Sequence, residues 1–141
     1  ELDDVDPMFS RILMASGPEE TGLLEAREIY ALDLSGVGLV TLSACESGMG
    51  RVLRGDEIVG FTRSFLSAGS RSVIASLWPV ADDATQLLMT RLYREAVQGS
   101  DLMESLRIAQ LEVQRNRRFS HPFFWAPFSV IGHGALRLSA S

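Results

Sequence analysis

The sequence contains one cysteine and two histidines among 141 residues, and this scarcity limits the chemistry that the chain can carry. A single cysteine, Cys45, cannot form an internal disulfide, so a reducing compartment, by default the cytoplasm, is expected. No group of cysteines and histidines has the spacing of metal ligands. We therefore expect neither a disulfide framework nor a metal site.

Long apolar runs and an excess of basic residues are also missing. No stretch approaches the roughly 20 apolar residues of a membrane span. The net charge of -5 argues against a nucleic-acid partner held through its phosphates. Gly48 and Gly50 are not followed by the lysine and Ser/Thr of a phosphate loop, and no dinucleotide-binding glycine spacing occurs. No membrane, nucleic acid or cofactor is expected.

The beginning of the sequence indicates a piece of a longer protein. Residues 1–6 lack the basic and apolar regions of a signal peptide, and an initiator methionine is absent. A content of 46% hydrophobic and 22% charged residues is typical of a globular chain. The length suits one domain with a substantial core, and no internal repeat or long linker is visible.

The sequence does contain an alternation of apolar runs and helical patterns, which indicates a mostly parallel sheet covered by helices. Strands are predicted at 9–15, 37–42, 71–78 and 123–131, and helices at 25–32, 56–68, 82–98 and from Ser100 or Asp101 to about 115. Gly99 is expected to end the third of these helices, and the residues from Gly132 onward are expected to form a tail.

The apolar side chains at helical spacing and the basic cluster at 115–118 can both be explained by structure alone. The leucines of the last two helices, together with Met89 and Met103, are predicted to pack in the core and not to bind a cofactor. The basic cluster at 115–118 is most simply a solvated helix end, and a contact with an acidic partner is the alternative.

Cys45 follows the predicted strand 37–42 and lies in a glycine-rich turn. Open α/β sheets bind their substrates beyond the carboxyl ends of the strands, so a thiol at this point is a candidate nucleophile. The reactive form is the thiolate, which nearby positive charge such as Arg51 and Arg54 would favour. Backbone N–H groups of the turn are candidates to hold an oxyanion. The alternative is a buried cysteine that serves only as a small apolar residue.

A cysteine nucleophile normally needs a histidine base, and both histidines of this chain come after Cys45. His121 stands in the segment Ser-His-Pro-Phe-Phe-Trp, where a turn-capping or surface role is favoured over that of a base. His133 follows the last predicted strand. It would reach Cys45 only if that strand end lies beside it.

Four separated segments, in the same order, resemble the CHAT domain, a caspase-like peptidase domain. They are 39–50 (Leu-Val-Thr-Leu-Ser-Ala-Cys-Glu-Ser-Gly-Met-Gly), 54–61 (Arg-Gly-Asp-Glu-Ile-Val-Gly-Phe), 65–80 and 121–128 (His-Pro-Phe-Phe-Trp-Ala-Pro-Phe). Residues 22–34 also resemble the stretch that precedes the nucleophile strand. CHAT domains are commonly attached to tetratricopeptide repeats in bacterial proteins, so a bacterial protein with a repeat domain in the same parent chain is expected.

The resemblance implies a caspase-hemoglobinase-like fold, which is an α/β three-layer sandwich with a mostly parallel sheet. It also implies a Cys/His dyad in which Cys45 is the nucleophile and the histidine belongs to a His-Gly pair upstream of this sequence. Residues 1–141 are therefore expected to be a single, partial CHAT peptidase domain that lacks its N-terminal strand or strands and is inactive alone. The missing strand would expose a sheet edge, which could pair with another chain.

Residues 77–82 (Leu-Trp-Pro-Val-Ala-Asp) resemble a loop of separase, a distant relative, that borders the pocket for the residue before the scissile bond. The resemblance implies cleavage of a protein substrate, after a basic residue, with substrate-binding residues Glu46, Gly48, Trp78, Asp82 and Asp83. Helix capping explains the two aspartates equally well, and Glu46 has Arg51 and Arg54 as alternative partners. A non-catalytic interaction or regulatory module is the alternative function.

Overall fold

A computed structural model of the chain describes residues 11–13, 23–43 and 55–138. In these ranges the elements are β1 (Arg11–Leu13), β2 (Leu23–Glu25), α1 (Ala26–Ile29), β3 (Leu39–Leu42), α2 (Gly55–Ser67), β4 (Ser72–Ser76), α3 (Asp82–Val97), α4 (Leu102–Arg115), a 3-10 turn (Pro122–Phe124) and β5 (Phe128–Gly132). None of the helices in these ranges combines the length and the apolarity that crossing a membrane requires.

The larger sheet has the strand order β3-β4-β5. β3 and β4 run parallel, with Leu42 opposite Ala75. β5 runs antiparallel to β4, with Phe128 opposite Ser76. The predicted mostly parallel arrangement therefore holds for the β3–β4 pair only. The reason is that two helices, not one, connect β4 to β5: α3 leads away from the end of β4, and α4 leads back to it.

β1 and β2 form a separate antiparallel pair in which Ile12 lies opposite Leu24. The predicted helix 25–32 is reduced to α1, because β2 occupies its first residue. The backbone N–H of Glu25 donates to the Glu28 carboxylate at 2.7 Å and so defines the start of α1. The helix ends by tightening into i→i−3 bonds, such as that from the Ala31 N–H to the Glu28 carbonyl oxygen.

β4 lies at the centre of the core, and all five of its residues are buried. Successive side chains of a strand point to opposite faces of the sheet. Val73 packs with Ile58 of α2, whereas Ile74 packs in the cluster that contains Leu88 of α3. Helices therefore cover both faces of this strand, as its continuous apolar run predicted.

α3 and α4 pack against each other as an antiparallel pair, and their boundaries agree with the prediction. Gly99 has a φ of 98°, which glycine adopts without strain, and it follows the end of α3. The Asp101 side chain accepts from the Glu104 N–H at 2.9 Å and caps α4. Met89 packs against the core as predicted, but Met103 is 62% exposed, so its assignment to the core was wrong.

The residues that follow β5, up to residue 138, pack against the rest of the chain. The prediction that they form a tail is therefore wrong for this range. Leu136 is buried, and its carbonyl oxygen accepts from the N–H of Leu102 at 3.0 Å. The Gly134 carbonyl oxygen likewise accepts from the N–H of Met103 at 3.1 Å. The first N–H groups of a helix have no partner within the helix, so this segment satisfies the start of α4.

Gly132 makes the transition from β5 into that segment. Its φ is 98°, and a Cβ atom at this position would lie 2.6 Å from the Arg71 carbonyl oxygen. Such a contact is far too short for any side chain. Glycine is therefore required where the end of β5 meets the beginning of β4.

Candidate active site

Three chain connections meet at one end of the larger sheet, which we call the rim. β3 ends there at Leu42, β4 ends there at Ser76, and β5 begins there at Phe128. The parallel pairing puts the carboxyl ends of β3 and β4 side by side, and the antiparallel pairing adds the start of β5. In open α/β sheets, ligands bind beyond the carboxyl ends of the strands, so the rim is the candidate active site.

The predicted nucleophile follows β3 in the sequence, because Cys45 stands three positions after Leu42. Ser43, which is exposed, is the last described residue before it. Cys45, Glu46 and Gly48 lie outside the described residues, and so do the two arginines of this turn. Their assignments to catalysis and substrate binding stay predictions.

Trp78 lies at the rim, in the connection from β4 to α3, and is half-buried. Its indole N–H donates to the carbonyl oxygen of Phe123 at 3.0 Å, and the two ring centroids are 6.2 Å apart. The Ser76 hydroxyl donates to the Trp78 carbonyl oxygen at 2.6 Å. Both the side chain and the backbone of Trp78 are thus held in place.

The partner of Trp78 belongs to the 3-10 turn Pro122–Phe124, although the predicted strand 123–131 includes the last two residues of this turn. The Nδ1 atom of His121 accepts from the Phe123 N–H at 3.2 Å and caps this turn. The predicted turn-capping role of His121 is therefore confirmed. Proline directly after the cap suits a helical start, which is why the strand begins only at Phe128.

Aromatic rings surround this turn. The rings of Phe119 and Phe124 meet edge to face at 5.4 Å, and those of Phe123 and Phe124 at 5.6 Å. Phe119 is buried, whereas Phe123 is 48% exposed. The cluster therefore has its base in the core and its outer ring in solvent. Phe123 has no role predicted from the sequence, although the His-Pro start of its turn is a capping signal.

Gln110 of α4 anchors the same segment, a role that no local sequence signal indicates. Its side-chain amide donates to the carbonyl oxygens of Trp125 at 3.0 Å and Phe128 at 3.1 Å. The first residue of β5 is therefore tied to α4 as well as to β4. The two hydrogen bonds from Gln110 keep the segment that follows the 3-10 turn beside the rim.

Asp82 and Asp83 occupy the exposed first turn of α3, but neither caps it through its side chain, since the N-cap is Ala81. An Asp83 oxygen lies 3.0 Å from Arg118 Nη2. In the part of the chain that the structure describes, Asp82 has no ion-pair partner. The same residues contain no group of three or more His, Cys, Asp or Glu side chains that could hold a metal ion. Residues 115–118 are exposed, as predicted for a helix end in solvent. One of them, Arg118, also forms the ion pair with Asp83 of the same chain.

His133 lies at the opposite end of the sheet. It follows Gly132, which stands opposite Ser72, and its N–H donates to the Arg71 carbonyl oxygen at 3.0 Å. Five residues of β4 separate this end from the rim, a distance of about 13 Å. The antiparallel direction of β5 thus keeps His133 away from the end of the sheet that leads to Cys45.

Comparison with known proteins gives a consistent result. Residues 2–133 match the family model described as the CHAT domain. The chain is similar to tetratricopeptide repeat protein 28 of Mus musculus (40% identical over 110 residues) and to the protein of the same name in Homo sapiens (35% over 115 residues). The matches cover 78% and 82% of this chain but only 4% and 5% of the relatives. These relatives are mammalian, so the prediction of a bacterial protein is wrong.

Proposed function

The chain belongs to the CHAT-domain family, and on that premise we propose that it is the nucleophile-bearing part of a cysteine endopeptidase within a larger protein. The observation that carries this proposal is the position of Cys45 in the sequence. It directly follows the strand that ends at the rim, where Trp78 and the start of β5 also lie. Several described elements thus meet at the end of the sheet from which the chain continues towards Cys45.

The proposed reaction is peptide hydrolysis in two steps. The Cys45 thiolate attacks the carbonyl carbon of the scissile peptide, and backbone N–H groups near Cys45 stabilise the oxyanion. The C–N bond then breaks, and the amine leaves with the proton that the histidine base had taken from the thiol. Water hydrolyses the acyl-enzyme and releases the acid product.

The base of this reaction is proposed to come from a part of the parent protein outside this chain. His133 lies at the far end of the sheet, and the Nδ1 atom of His121 is engaged by its own turn. Within the described sheet β3 is paired on one side only, and its residues Leu39–Leu42 are half-buried. A strand upstream would pair with this edge and bring a histidine to the rim. Without it, the edge is suited to pairing with a second copy of the chain.

The proposed substrate is a protein with a basic residue before the cleaved bond. Glu46, Asp82 and Asp83 are the carboxylates proposed to bind that residue, with Gly48 and Trp78 beside it. Asp83 already forms an ion pair with Arg118. Among the described residues, no positive charge pairs with Asp82, so its carboxylate is the one of α3 that is available to a substrate.

The parent protein is proposed to carry tetratricopeptide repeats, since its relatives bear that name. Repeat arrays bind other proteins on extended concave surfaces, so they are suited to presenting a substrate to the peptidase part. The single cysteine is compatible with a reducing cytoplasm as the site of action.

The test compares cleavage by the parent protein with that by its Cys45→Ala variant, using mass spectrometry of newly formed N-termini in a peptide library. Cleavage is expected to disappear in Cys45→Ala and to persist in His133→Ala, a control at the opposite end of the sheet. Equal cleavage by Cys45→Ala and the unchanged protein contradicts the proposal.

A non-catalytic interaction module is the second candidate. It is favoured by the names of the relatives, which mention repeats and no enzymatic activity. A peptide with a thiol-reactive carbonyl group separates the two functions. Labelling of Cys45 at a rate that depends on the peptide sequence supports a peptidase, and labelling no faster than that of a free thiol supports the interaction module.

A further inference from the structure

We propose that His121 positions Trp78 at the rim and makes this arrangement sensitive to pH. The neutral imidazole of His121 caps the turn that holds the Trp78 indole. Protonation of the imidazole breaks this cap and releases the indole. The inference depends on the proposed function in one respect, since Trp78 is assumed to contact the substrate.

Two hydrogen bonds connect His121 to Trp78 through a single residue. The N–H of Phe123 donates to His121 Nδ1 at 3.2 Å, and the carbonyl oxygen of Phe123 accepts from the Trp78 indole at 3.0 Å. A movement of Phe123 therefore affects both bonds. The ring of Phe123 is 48% exposed, so no core packing holds it fully in place.

Protonation reverses the role of the imidazole nitrogen. A neutral histidine with its proton on Nε2 accepts a hydrogen bond at Nδ1, whereas a protonated histidine donates at both nitrogens. The protonated ring would direct an N–H group at the N–H of Phe123. Because these two donors repel each other, the cap is lost, and histidine changes charge between pH 5 and 8.

The rest of the turn keeps its bonds when the cap is lost. The Phe124 N–H donates to the His121 carbonyl oxygen at 3.1 Å, and the Ala126 N–H donates to that of Pro122 at 2.8 Å. Gln110 also continues to hold Trp125. The expected change is thus a local displacement of Phe123 and Trp78, not unfolding of the segment.

The charged groups around His121 come from its own segment and from α3. They are Arg115, Arg117 and Arg118, which precede it in the chain, and Asp83 at the start of α3, which pairs with Arg118 at 3.0 Å. The connection 77–81 contributes none. Arg118 and Asp83 compensate each other, and within the described residues no ion pair joins His121 to a carboxylate.

The first test measures the position of Trp78 without any substrate. Hydroxyl-radical footprinting of the parent protein is read by mass spectrometry on the tryptic peptide 72–91, which contains Trp78. Labelling of Trp78 is expected to rise about threefold or more between pH 8 and pH 5. In His121→Asn, whose amide oxygen caps the turn without titrating, labelling is expected to stay low at both pH values.

The control is His133→Asn, which removes the other histidine at the far end of the sheet and is expected to keep the pH response. A pH response that survives in His121→Asn, or that disappears in His133→Asn, overturns the proposal. So does the absence of any pH response of Trp78 in the unchanged protein.

The second test measures binding of a non-cleaved peptide with a basic residue to the Cys45→Ala parent protein. Affinity is expected to fall about three- to tenfold from pH 8 to pH 5, and His121→Asn is expected to remove this dependence. In His121→Ala, affinity is expected to be low at both pH values. If footprinting responds to pH but no peptide binds, His121 still positions Trp78, and only the role of Trp78 in substrate binding is contradicted. The further inference and the proposed function can therefore fail separately.

Discussion

The hydroxyl oxygens of Thr41 and Tyr93 lie 2.6 Å apart and share a hydrogen bond that joins β3 to α3. β3 is paired with β4 on one side only in the described sheet. The Thr41–Tyr93 bond therefore gives the strand a second attachment, just before the chain continues towards Cys45. An edge strand held in this way keeps its carboxyl end aligned with that of β4.

Tyr93→Phe removes this bond and keeps the ring. We expect a loss of about 1 kcal/mol in the free energy of unfolding, because the Thr41 hydroxyl loses its partner. Urea unfolding of the chain measures the change. Tyr30→Phe is the matched control, because Tyr30 is equally exposed and its hydroxyl makes no hydrogen bond within the described residues. This change is expected to have almost no effect on the free energy of unfolding. Equal losses in the two variants would show that the bond does not stabilise β3.

Leu88→Ala tests the packing of α3 on the sheet. Leu88 is fully buried in the cluster that also contains Ile74 and Phe128. Its truncation leaves a cavity, and a loss of about 2–5 kcal/mol is expected in the free energy of unfolding. Val97→Ala, on the same helix but 61% exposed, is expected to change this free energy by less than about 0.5 kcal/mol. A tolerated Leu88→Ala would contradict the placement of α3.

The Glu104–Arg107 pair on α4 predicts a defined pH response. The hydrogen bonds from the Arg107 side chain lower the pKa of Glu104 in the folded chain. The pair therefore contributes its stability at pH values above the pKa of Glu104 in the unfolded chain. That contribution is lost as the pH falls through the lowered, folded-state pKa.

Carboxyl NMR titration of the Arg107→Ala variant is expected to show a higher pKa for Glu104 than in the unchanged chain. Arg115→Ala, which removes another arginine of α4, is expected to leave this pKa where it is. A pKa of Glu104 that does not respond to Arg107→Ala would show that the pair has no electrostatic effect.

Asp82 and Asp83 are expected to differ in their effects on substrate selection. Arg118 already compensates Asp83, so the charge of Asp82 is the more available one. In the parent protein, Asp82→Asn is expected to lower kcat/KM for substrates with a basic residue about tenfold or more, and Asp83→Asn by less. Substrates with a neutral residue serve as the control. Equal losses for basic and neutral substrates would contradict a role in binding the basic side chain.

The sequence was sufficient to locate the helices and strands that bury one face or both faces. The strand 71–78 was predicted from its apolar run, and the last helix from a cap at Ser100 or Asp101 after Gly99. The structure confirms both, with β4 buried throughout and Asp101 as the cap. The apolar run and the cap are local signals, and tertiary contacts only reinforce them. The family resemblance rested on four segments, one of which contains β4, and it is confirmed by the match over residues 2–133.

The direction of β5 and the 3-10 form of the turn after His121 could not be predicted from the sequence, although the capping role of His121 could. An apolar run predicts a strand but not which way it runs, and here the antiparallel helix pair determined the direction. The run from Phe123 also has strand-like composition, yet the His121 cap and Pro122 place its first residues in a 3-10 turn. The bonds of Trp78 and Gln110 depend on residues far apart in the chain.

The contact between Gly132 and Arg71 gives the two ends of the sheet different tolerances to sequence change. At the far end, main-chain atoms of two strands approach so closely that even a methyl group has no room. At the rim, exposed side chains such as Phe123 can be replaced without disturbing that junction. Substitutions are therefore tolerated at one end of the sheet, while the other end preserves the strand alignment.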